Sequence, residues 1–303
     1  MSLNRRVEVP VFINRDPLKF LALLTEKGRP VFEIQYNPQL KLAPSGLGSW
    51  PHHPLSDIFL AQSNDWLKLP TTGEHLVAKI VSTPDSFDHR ERVALIKLNQ
   101  LFQQDANERH AILYGYGTHE STSQRTSYFI LEKVPEGFIS FWELKKAGWG
   151  KNPIDAFELC LAAASFLTNV HASGLTHGDL DGPGLEHYYW NPSLKQLRVI
   201  DWNRAMIRKY PLSDKNRSEF RDSLGEDHDG LWHLLYYGVF AGTTLDQIQN
   251  YAKDNFKKNV AEKYITLDNM HWRHGGKRLR RTASGTKLFR DHINAILEEL
   301  RAG

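Results

Sequence analysis

The sequence predicts an α+β protein in which a sheet-rich first half precedes a helical second half. Short β-branched and aromatic runs bounded by turn residues fall mostly before residue 135, and apolar residues recur at helical spacing after it. The composition, 41% hydrophobic and 24% charged over 303 residues, is that of a globular chain with a large core. The predicted strands are 30–36, 57–62, 75–81, 111–117 and 127–134.

One helix is expected to interrupt these strands. In residues 86–103, Val93, Ile96 and Leu101 recur at helical spacing after a start rich in Ser and Asp, which can cap a helix. The sequence therefore predicts a helix directly after the strand 75–81.

The second half is expected to be mainly helical. Residues 152–174 begin on an Asn-Pro capping signal and end on a glycine, which together predict a long helix. Residues 196–202 are expected to form a strand and 229–242 a buried helix. We expect three segments, namely an N-terminal extension (1–34) that packs on the first lobe, a first lobe with its hinge (35–134), and a helical second lobe (135–303) with a basic C-terminal region.

Composition also argues against several classes of protein. The chain has no run of about 18 apolar residues and its first residues lack the apolar core of a signal peptide, so a cytoplasmic protein without a membrane span is expected. Cys160 is the single cysteine and lies on an apolar helical face, which predicts an inert core thiol. A net charge of +3 is too small to indicate nucleic-acid binding, although basic residues cluster within 273–281.

Four charged residues stand out from this background. Lys79 lies inside an apolar strand, where the desolvation of an ammonium group is costly unless the group is paired, and Glu91 in the next helix is its natural partner. Asp179 follows His177 and a glycine in a loop after a long helix, and Asp201 ends the strand that follows this loop. Although they are separated in sequence, these groups can converge on one site.

This order of residues resembles the protein-kinase-like superfamily, over about residues 35–245. In that family a strand lysine paired with a helix glutamate holds the nucleotide phosphates, which is the role implied for Lys79 in "VAKI" and for Glu91. The resemblance implies a bilobal fold, with an antiparallel-sheet first lobe that carries one helix and a helical second lobe. It also implies ATP as the cofactor.

The second lobe carries the motifs of the same family that imply chemistry. "HGDL" is similar to the catalytic-loop motif H-R-D-L and implies that Asp179 is the catalytic base, while its Gly in place of Arg is similar to aminoglycoside-type and small microbial kinases. "IDWN" resembles D-F-G and implies that Asp201 binds Mg²⁺, with Mn²⁺ as an alternative. In "EDHDGLWHLL", Asp229 is expected to brace the catalytic loop.

A hinge-like segment falls between the two predicted lobes. "YFILEKVPEG" resembles the inter-lobe hinge, with Leu131 as the gatekeeper. The backbone from Glu132 to Val134 is then expected to contact adenine.

The sequence departs from the family at the second metal ligand. The Asn expected five residues after the catalytic Asp is Gly184. A three-residue insertion would instead place His187 there, as in lipopolysaccharide-core sugar kinases, which the chain resembles in this respect. Imidazole suits Mg²⁺ poorly, so Glu186 is an alternative oxygen ligand, and a third reading is that His187 only hydrogen-bonds in a turn.

The loop expected to cover the phosphates also departs from the family. Gly46 and Gly48 precede a strand and are similar to the first two glycines of G-x-G-x-x-G, but Pro51 replaces the third and has no amide to donate. The alternatives are a weakened phosphate loop, a lid of another shape, or an ordinary surface turn.

These features together predict an ATP-dependent phosphotransferase that transfers the γ-phosphate to a hydroxyl acceptor, either a small molecule or a protein. No A-P-E motif follows Asp201, which favours a small-molecule acceptor or a minimal protein kinase. An anionic acceptor is one alternative, because Arg204 and the C-terminal arginines can hold one. The second hypothesis is a pseudokinase that acts as a nucleotide-sensing or protein-binding module. Nucleic acid is not an expected partner.

Overall fold

The chain was analysed as a computed structural model, which describes the following residues: 6–13, 16–23, 31–34, 43–44, 56–60, 76–83, 87–102, 110, 112–120, 125–132, 134–149, 152–208, 214–239, 257–271 and 279–302. These residues form a mixture of helices and sheets, so the predicted α+β class is confirmed. The chain divides into two compact units, Met1–Glu136 and Gly137–Gly303. The predicted phosphate-loop residues Gly46 and Gly48 lie outside the described residues.

Among the described residues, the first unit contains one sheet and one helix, α1 (Phe87–Leu101). The strand order is β1-β2-β3-β7-β8-β6-β5-β4, and neighbours are antiparallel except β3 and β7, which are parallel. That parallel pair corrects the purely antiparallel sheet that we predicted. The strands are β1 (Arg6–Ile13), β2 (Asp16–Leu23), β3 (Val31–Ile34), β4 (Ala43–Pro44), β5 (Ser56–Leu60), β6 (Leu76–Thr83), β7 (Leu113–Glu120) and β8 (Arg125–Glu132).

Helix α1 is fixed to the sheet by a buried amide. The side chain of Asn99 donates to the carbonyl of Leu113 at 2.7 Å and accepts from the Leu113 amide at 3.3 Å. Its oxygen also accepts from the Nε2–H of His110 at 3.0 Å. Because an amide that pairs with both backbone groups of one residue has little freedom, these bonds set the position of α1 along β7.

The second unit consists of helices around two small sheets. In one sheet β11 pairs with both β12 and β9, and in the other β10 pairs with β13. The helix predicted at 229–242 begins much earlier than expected, at Asp214. The elements are β9 (Ile139–Ser140), α2 (Phe141–Lys146), α3 (Pro153–Ala172), β10 (Leu175–Thr176), a 3-10 helix (Gly182–His187), β11 (Tyr188–Asn191), β12 (Gln196–Val199), β13 (Met206–Ile207), α4 (Asp214–Val239), α5 (Lys258–His271) and α6 (Ala283–Ala302).

Helix α3 forms the core of this unit. It begins as predicted on Asn152, whose side chain accepts the amide of Ile154 at 3.1 Å, and its Cys160 is fully buried. Burial raises the pKa of the Cys160 thiol far above its usual range, as expected for a structural cysteine. Within the described part of the chain, α3 alone is long and apolar enough to cross a membrane, but 61% of its most apolar window is buried in the protein. Helix α3 is therefore a core helix of this unit.

The short sheet β10–β13 positions the predicted catalytic loop. Thr176 pairs with Met206 across this sheet, so the residues that follow Thr176 and those that precede Met206 leave the sheet at the same end. Residues 177–181 and 201–205 consequently lie beside each other. This is the pair of segments that carries the predicted base and the predicted metal ligand.

Candidate functional site

In the first unit, Lys79 and Glu91 form a buried ion pair. The Lys79 Nζ lies 2.8 and 3.0 Å from the two carboxylate oxygens of Glu91, and the side chains are 7% and 2% exposed. Lys79 occupies an interior strand, opposite Ile58 on one side and Phe129 on the other. Both charges lose most of their hydration there, so each depends on the other. The structure therefore forms the contact that we predicted from the sequence.

The predicted hinge residues lie at the end of β8. Leu131 and Glu132 are buried and Val134 is partly exposed. The Glu132 amide donates to the carbonyl of Ile112 at 2.9 Å, so this amide is already used within the sheet. A backbone contact from this segment to a ligand would have to use its other groups.

In the second unit, Asp227 of α4 holds the loop that leads to Asp179. Its two carboxylate oxygens accept the successive backbone amides of His177 at 2.8 Å and Gly178 at 2.7 Å. One turn earlier in α4, the Ser223 hydroxyl lies 2.6 Å from the hydroxyl of Thr176. A buried carboxylate that satisfies two amides in a row fixes the backbone immediately before Asp179.

The expectation that Asp229 braces this loop is wrong, because the residue that does so is Asp227. Residues two positions apart in an α-helix are separated by about 200° around its axis, so Asp229 points in a different direction from Asp227 and interacts with Asp181 at the end of the loop instead of with the two amides. Asp229 instead forms an ion pair with Arg280. Burial raises the pKa of the Asp229 carboxyl above its usual range, and the Arg280 guanidinium opposes this rise.

Gly178 occupies the place where the family motif has Arg, and the structure shows why no larger residue fits. A Cβ at this position would lie 2.6 Å from the Ser223 hydroxyl and 2.7 Å from the Arg204 carbonyl oxygen. Its φ of +75° is also a conformation that glycine adopts easily. The close approach of α4 and of the segment after Asp201 therefore requires glycine here.

Asp179 presents a partly exposed carboxylate between two basic side chains. Its oxygens lie 3.3 Å from an Arg204 guanidinium nitrogen and 3.6 Å from the His187 Nε2, and its side chain is 20% exposed. Burial by itself would raise the pKa of the carboxyl, but His187 and Arg204 outweigh it and hold the pKa below its usual value. Asp179 is therefore an ionised carboxylate at neutral pH.

His177 joins this loop to the segment that follows β12 and carries Asp201. Its Nε2–H donates to the Ile200 carbonyl at 2.8 Å, and the centre of its ring lies 4.4 Å from that of Trp202. Burial lowers the pKa of His177 to about 4, so the ring is neutral at pH 7 and keeps its proton on Nε2. His177 therefore connects the two segments as a neutral hydrogen-bond donor.

Asp201 has a backbone conformation that is rare for a residue with a side chain. Its φ is +62°, in the left-handed region, which aspartate tolerates better than most residues. The preceding amide, that of Ile200, donates to the carbonyl of His187 at 3.1 Å. Such conformations persist where the surrounding structure imposes them, and they concentrate at functional sites.

The 3-10 helix that follows Asp179 occupies the place of the expected insertion. A Cβ on Gly184 would lie 2.1 Å from the carbonyl oxygen of Asp179, so an asparagine cannot occupy this position in this conformation. His187, at the end of the 3-10 helix, is buried and directs Nε2 toward Asp179. Glu186, next to it, is partly exposed.

Two further contacts involve charged groups of the loop and of helix α4. Asp181 contacts His233, and this contact more than any other holds the pKa of Asp181 below its usual value. Arg281 lies 3.4 Å from Asp222 on α4. No group of three or more His, Cys, Asp or Glu side chains in the described ranges is arranged to hold a metal ion by itself.

A comparison with models of known protein families finds no match, and a comparison with curated proteins finds no relative. What the residues themselves provide is an ionised, partly exposed carboxylate at Asp179 on a firmly held loop. A second aspartate, Asp201, lies on the neighbouring segment. This arrangement can accept a proton and can contribute an oxygen ligand to a cation.

Proposed function

We propose that the chain is an ATP-dependent phosphotransferase with the bilobal fold of the protein-kinase-like superfamily, acting on a hydroxyl acceptor. The observation that carries the proposal is the paired contact of Asp227 with the amides of His177 and Gly178. It fixes the loop directly before an ionised aspartate, and a catalytic base requires such positioning. The buried Lys79–Glu91 pair supports the proposal independently.

Lys79 would hold the phosphates of the nucleotide. Glu91 orients the ammonium group, because both of its carboxylate oxygens lie within hydrogen-bond distance of the Lys79 Nζ. A buried ion pair is a poor source of stability compared with apolar residues of the same volume. Its presence in the middle of a sheet therefore favours a role in binding.

Asp179 would accept the proton of the acceptor hydroxyl. Its ionised state at neutral pH suits this role, and its partial exposure lets an acceptor approach. Arg204, which is 54% exposed, lies against the same carboxylate and can turn toward an anionic group on the acceptor. This geometry favours an acceptor with a negative charge close to its reacting hydroxyl.

Asp201 would supply a carboxylate oxygen, which Mg²⁺ prefers, to a divalent cation bound together with the nucleotide. Glu186 would be the alternative oxygen ligand, whereas the His187 imidazole suits Mn²⁺ better. When bound, the ion neutralises charge on the phosphates. The strained backbone of Asp201 would aim its carboxylate for this purpose.

The second candidate is a pseudokinase that binds nucleotide or protein without turnover. It is favoured by Gly184, which leaves no room for the expected asparagine, and by Arg204, which pairs with the proposed base. The intact set of Lys79, Glu91 and Asp179 favours an enzyme.

The first experiment tests nucleotide binding. The melting temperature is measured with ATP alone, with ATP and Mg²⁺, and with ATP and Mn²⁺. The enzyme and a nucleotide-binding pseudokinase both predict a rise that depends on the metal, because a ligand that binds only the folded state stabilises it. The absence of any rise at millimolar ATP contradicts both of these and leaves only a pseudokinase that binds protein.

The second experiment separates an enzyme from a sensor. ATP turnover is measured for the wild type and Asp179→Asn, with Asp222→Asn as the matched control on an exposed aspartate of α4. The enzyme proposal predicts a loss of about 10²–10⁴-fold for Asp179→Asn and little change for the control. Equal hydrolysis by all three proteins contradicts it.

A further inference from the structure

A buried chain of hydrogen bonds connects the C-terminal helix α6 to the loop before Asp179. The Thr286 hydroxyl lies 2.9 Å from the His171 Nδ1, and the His171 Nε2 lies 2.9 Å from a carboxylate oxygen of Asp227. The same oxygen of Asp227 accepts the His177 amide. Thr286 and Asp227 are fully buried and His171 is 3% exposed.

The chemistry of the groups fixes the direction of the bond between His171 and Asp227. Asp227 already accepts two backbone amides, so it is an acceptor, and the His171 Nε2–H donates to it. The Thr286 hydroxyl is the partner of the His171 Nδ1, and a hydroxyl can serve this nitrogen either as donor or as acceptor. Removal of that hydroxyl would leave a buried ring nitrogen without this partner and would release the ring to turn.

We propose that Thr286 is a positioning residue for the catalytic loop, acting through His171 and Asp227. Helix α6 belongs to the segment in which the sequence shows no motif, and through this contact it supports the backbone before Asp179. The effect on turnover rests on the proposed function, whereas the effect on the loop does not. These hydrogen bonds link three helices, α3, α4 and α6, to two amides of one loop.

The test compares Thr286→Val, which removes the hydroxyl at constant volume, with Thr286→Ser, which keeps it. Thr168→Val is the matched control, because Thr168 is also a buried threonine but donates to Ala164 within its own helix at 2.7 Å. Hydrogen exchange is measured at the amides of His177 and Gly178, and kcat and KM are measured for ATP.

Thr286→Val is expected to speed exchange at both amides about tenfold relative to Thr168→Val, and to lower kcat severalfold with little change in KM. Thr286→Ser is expected to behave as the wild type. Equal exchange in the two valine variants overturns the proposal, and so does a serine variant that behaves like the valine variant. If the wild type shows no turnover, the proposed function fails, but the exchange comparison still decides the role of Thr286.

A spectroscopic check needs no variant and covers the case in which Thr286→Val does not fold. The ring ¹⁵N shifts of His171 in the wild type are expected to show a protonated Nε2 and a hydrogen-bonded Nδ1. A ring that carries its proton on Nδ1 alone, or an Nδ1 without a hydrogen bond, overturns the proposal.

Discussion

The Lys79–Glu91 pair in the first unit and the loop before Asp179 in the second are held in opposite ways. The pair consists of two side chains, 12 residues apart, that satisfy each other at 2.8 Å. The loop is held through its backbone by Asp227, about 50 residues further along the chain. The pair therefore depends on contacts between side chains, whereas the loop depends on several hydrogen bonds to its backbone.

This difference determines how each arrangement fails. Removal of one member of the pair leaves the other charge buried without this ion pair, which lowers the free energy of unfolding by a large amount and acts locally. Removal of one bond of the loop leaves the others in place, so the loop loosens before the unit unfolds. Substitutions can therefore distinguish the two regions by the size of the effect and by where it appears.

Glu91→Ala is expected to cause the largest loss of stability, about 3–5 kcal/mol, because it removes the carboxylate that forms an ion pair with the buried ammonium group of Lys79. The combined change Lys79→Met with Glu91→Leu is expected to recover most of that loss, since apolar residues of similar volume replace both charges. Urea unfolding measures both. Glu262→Ala, which removes an exposed helix pair with Lys258, is the control and should cost below about 0.5 kcal/mol. A double variant as unstable as Glu91→Ala would contradict the account of the pair.

Asp227→Asn is expected to cost about 3 kcal/mol, because an amide group cannot accept the amides of both His177 and Gly178. Asp229→Asn is the matched control on the same helix and should cost about 1 kcal/mol, since the side-chain oxygen of asparagine can still accept a hydrogen bond from Arg280. Urea unfolding gives the ranking. A larger loss of stability for Asp229→Asn than for Asp227→Asn would show that the loop depends on Asp229.

The register of α4 explains why the sequence predicted one contact and missed the other. Lys79 and Glu91 lie on a strand and the helix that follows it, so an apolar strand with one lysine already indicates a partner close in sequence. The choice between Asp227 and Asp229 depends on the rotation of a long helix that begins at Asp214, and no local pattern gives that rotation.

Thr286 was missed for a similar reason. Its partner, His171, is 115 residues away, and a threonine in the first turn of a helix reads as an ordinary residue. A histidine on the apolar helix 153–172 was the available signal, because a buried imidazole needs partners for both nitrogens. The α+β class and the approximate bounds of β6, β8, α1 and α3 required only periodicity and turn residues, whereas β1, β2 and short elements of the second unit such as β10 and β13 were not predicted.

Gly184→Asn introduces the asparagine found in the family that the sequence resembles, but it is expected to cost about 2 kcal/mol and to lower turnover. The new side chain would collide with the carbonyl oxygen of Asp179 and displace the loop. Pro183→Asn places the same side chain on the exposed neighbouring residue and should have a smaller effect. Urea unfolding and ATP turnover are the measurements. A variant with unchanged stability and tighter Mg²⁺ binding would refute this reading of Gly184.

The smallest effect is expected at Glu158, far from the loop, where Lys195 and Arg301 contact one oxygen at 2.6 and 2.7 Å. Burial would raise the pKa of Glu158, but these two cations hold it below the usual 4.5. The stabilisation is therefore complete above pH 4.5 and is lost as the pH falls through the lower, folded-state pKa.

Both cations are more than half exposed, so water screens them and the pair contributes at most about 1 kcal/mol. The difference in unfolding free energy between the wild type and Glu158→Gln should accordingly shrink at acid pH. A difference that grows on acidification would contradict the sign of this shift.

The division of roles between the two regions is tested most directly by measuring the ATP dissociation constant and the turnover rate side by side in two variants. For Asp179→Asn, we expect ATP affinity within about twofold of the wild type and turnover reduced by about 10²–10⁴-fold. For Lys79→Met with Glu91→Leu, we expect ATP binding to weaken about tenfold or more, because the charge that we propose to hold the phosphates is lost. Wild-type turnover in Asp179→Asn, or unchanged ATP affinity in the double variant, would contradict the account.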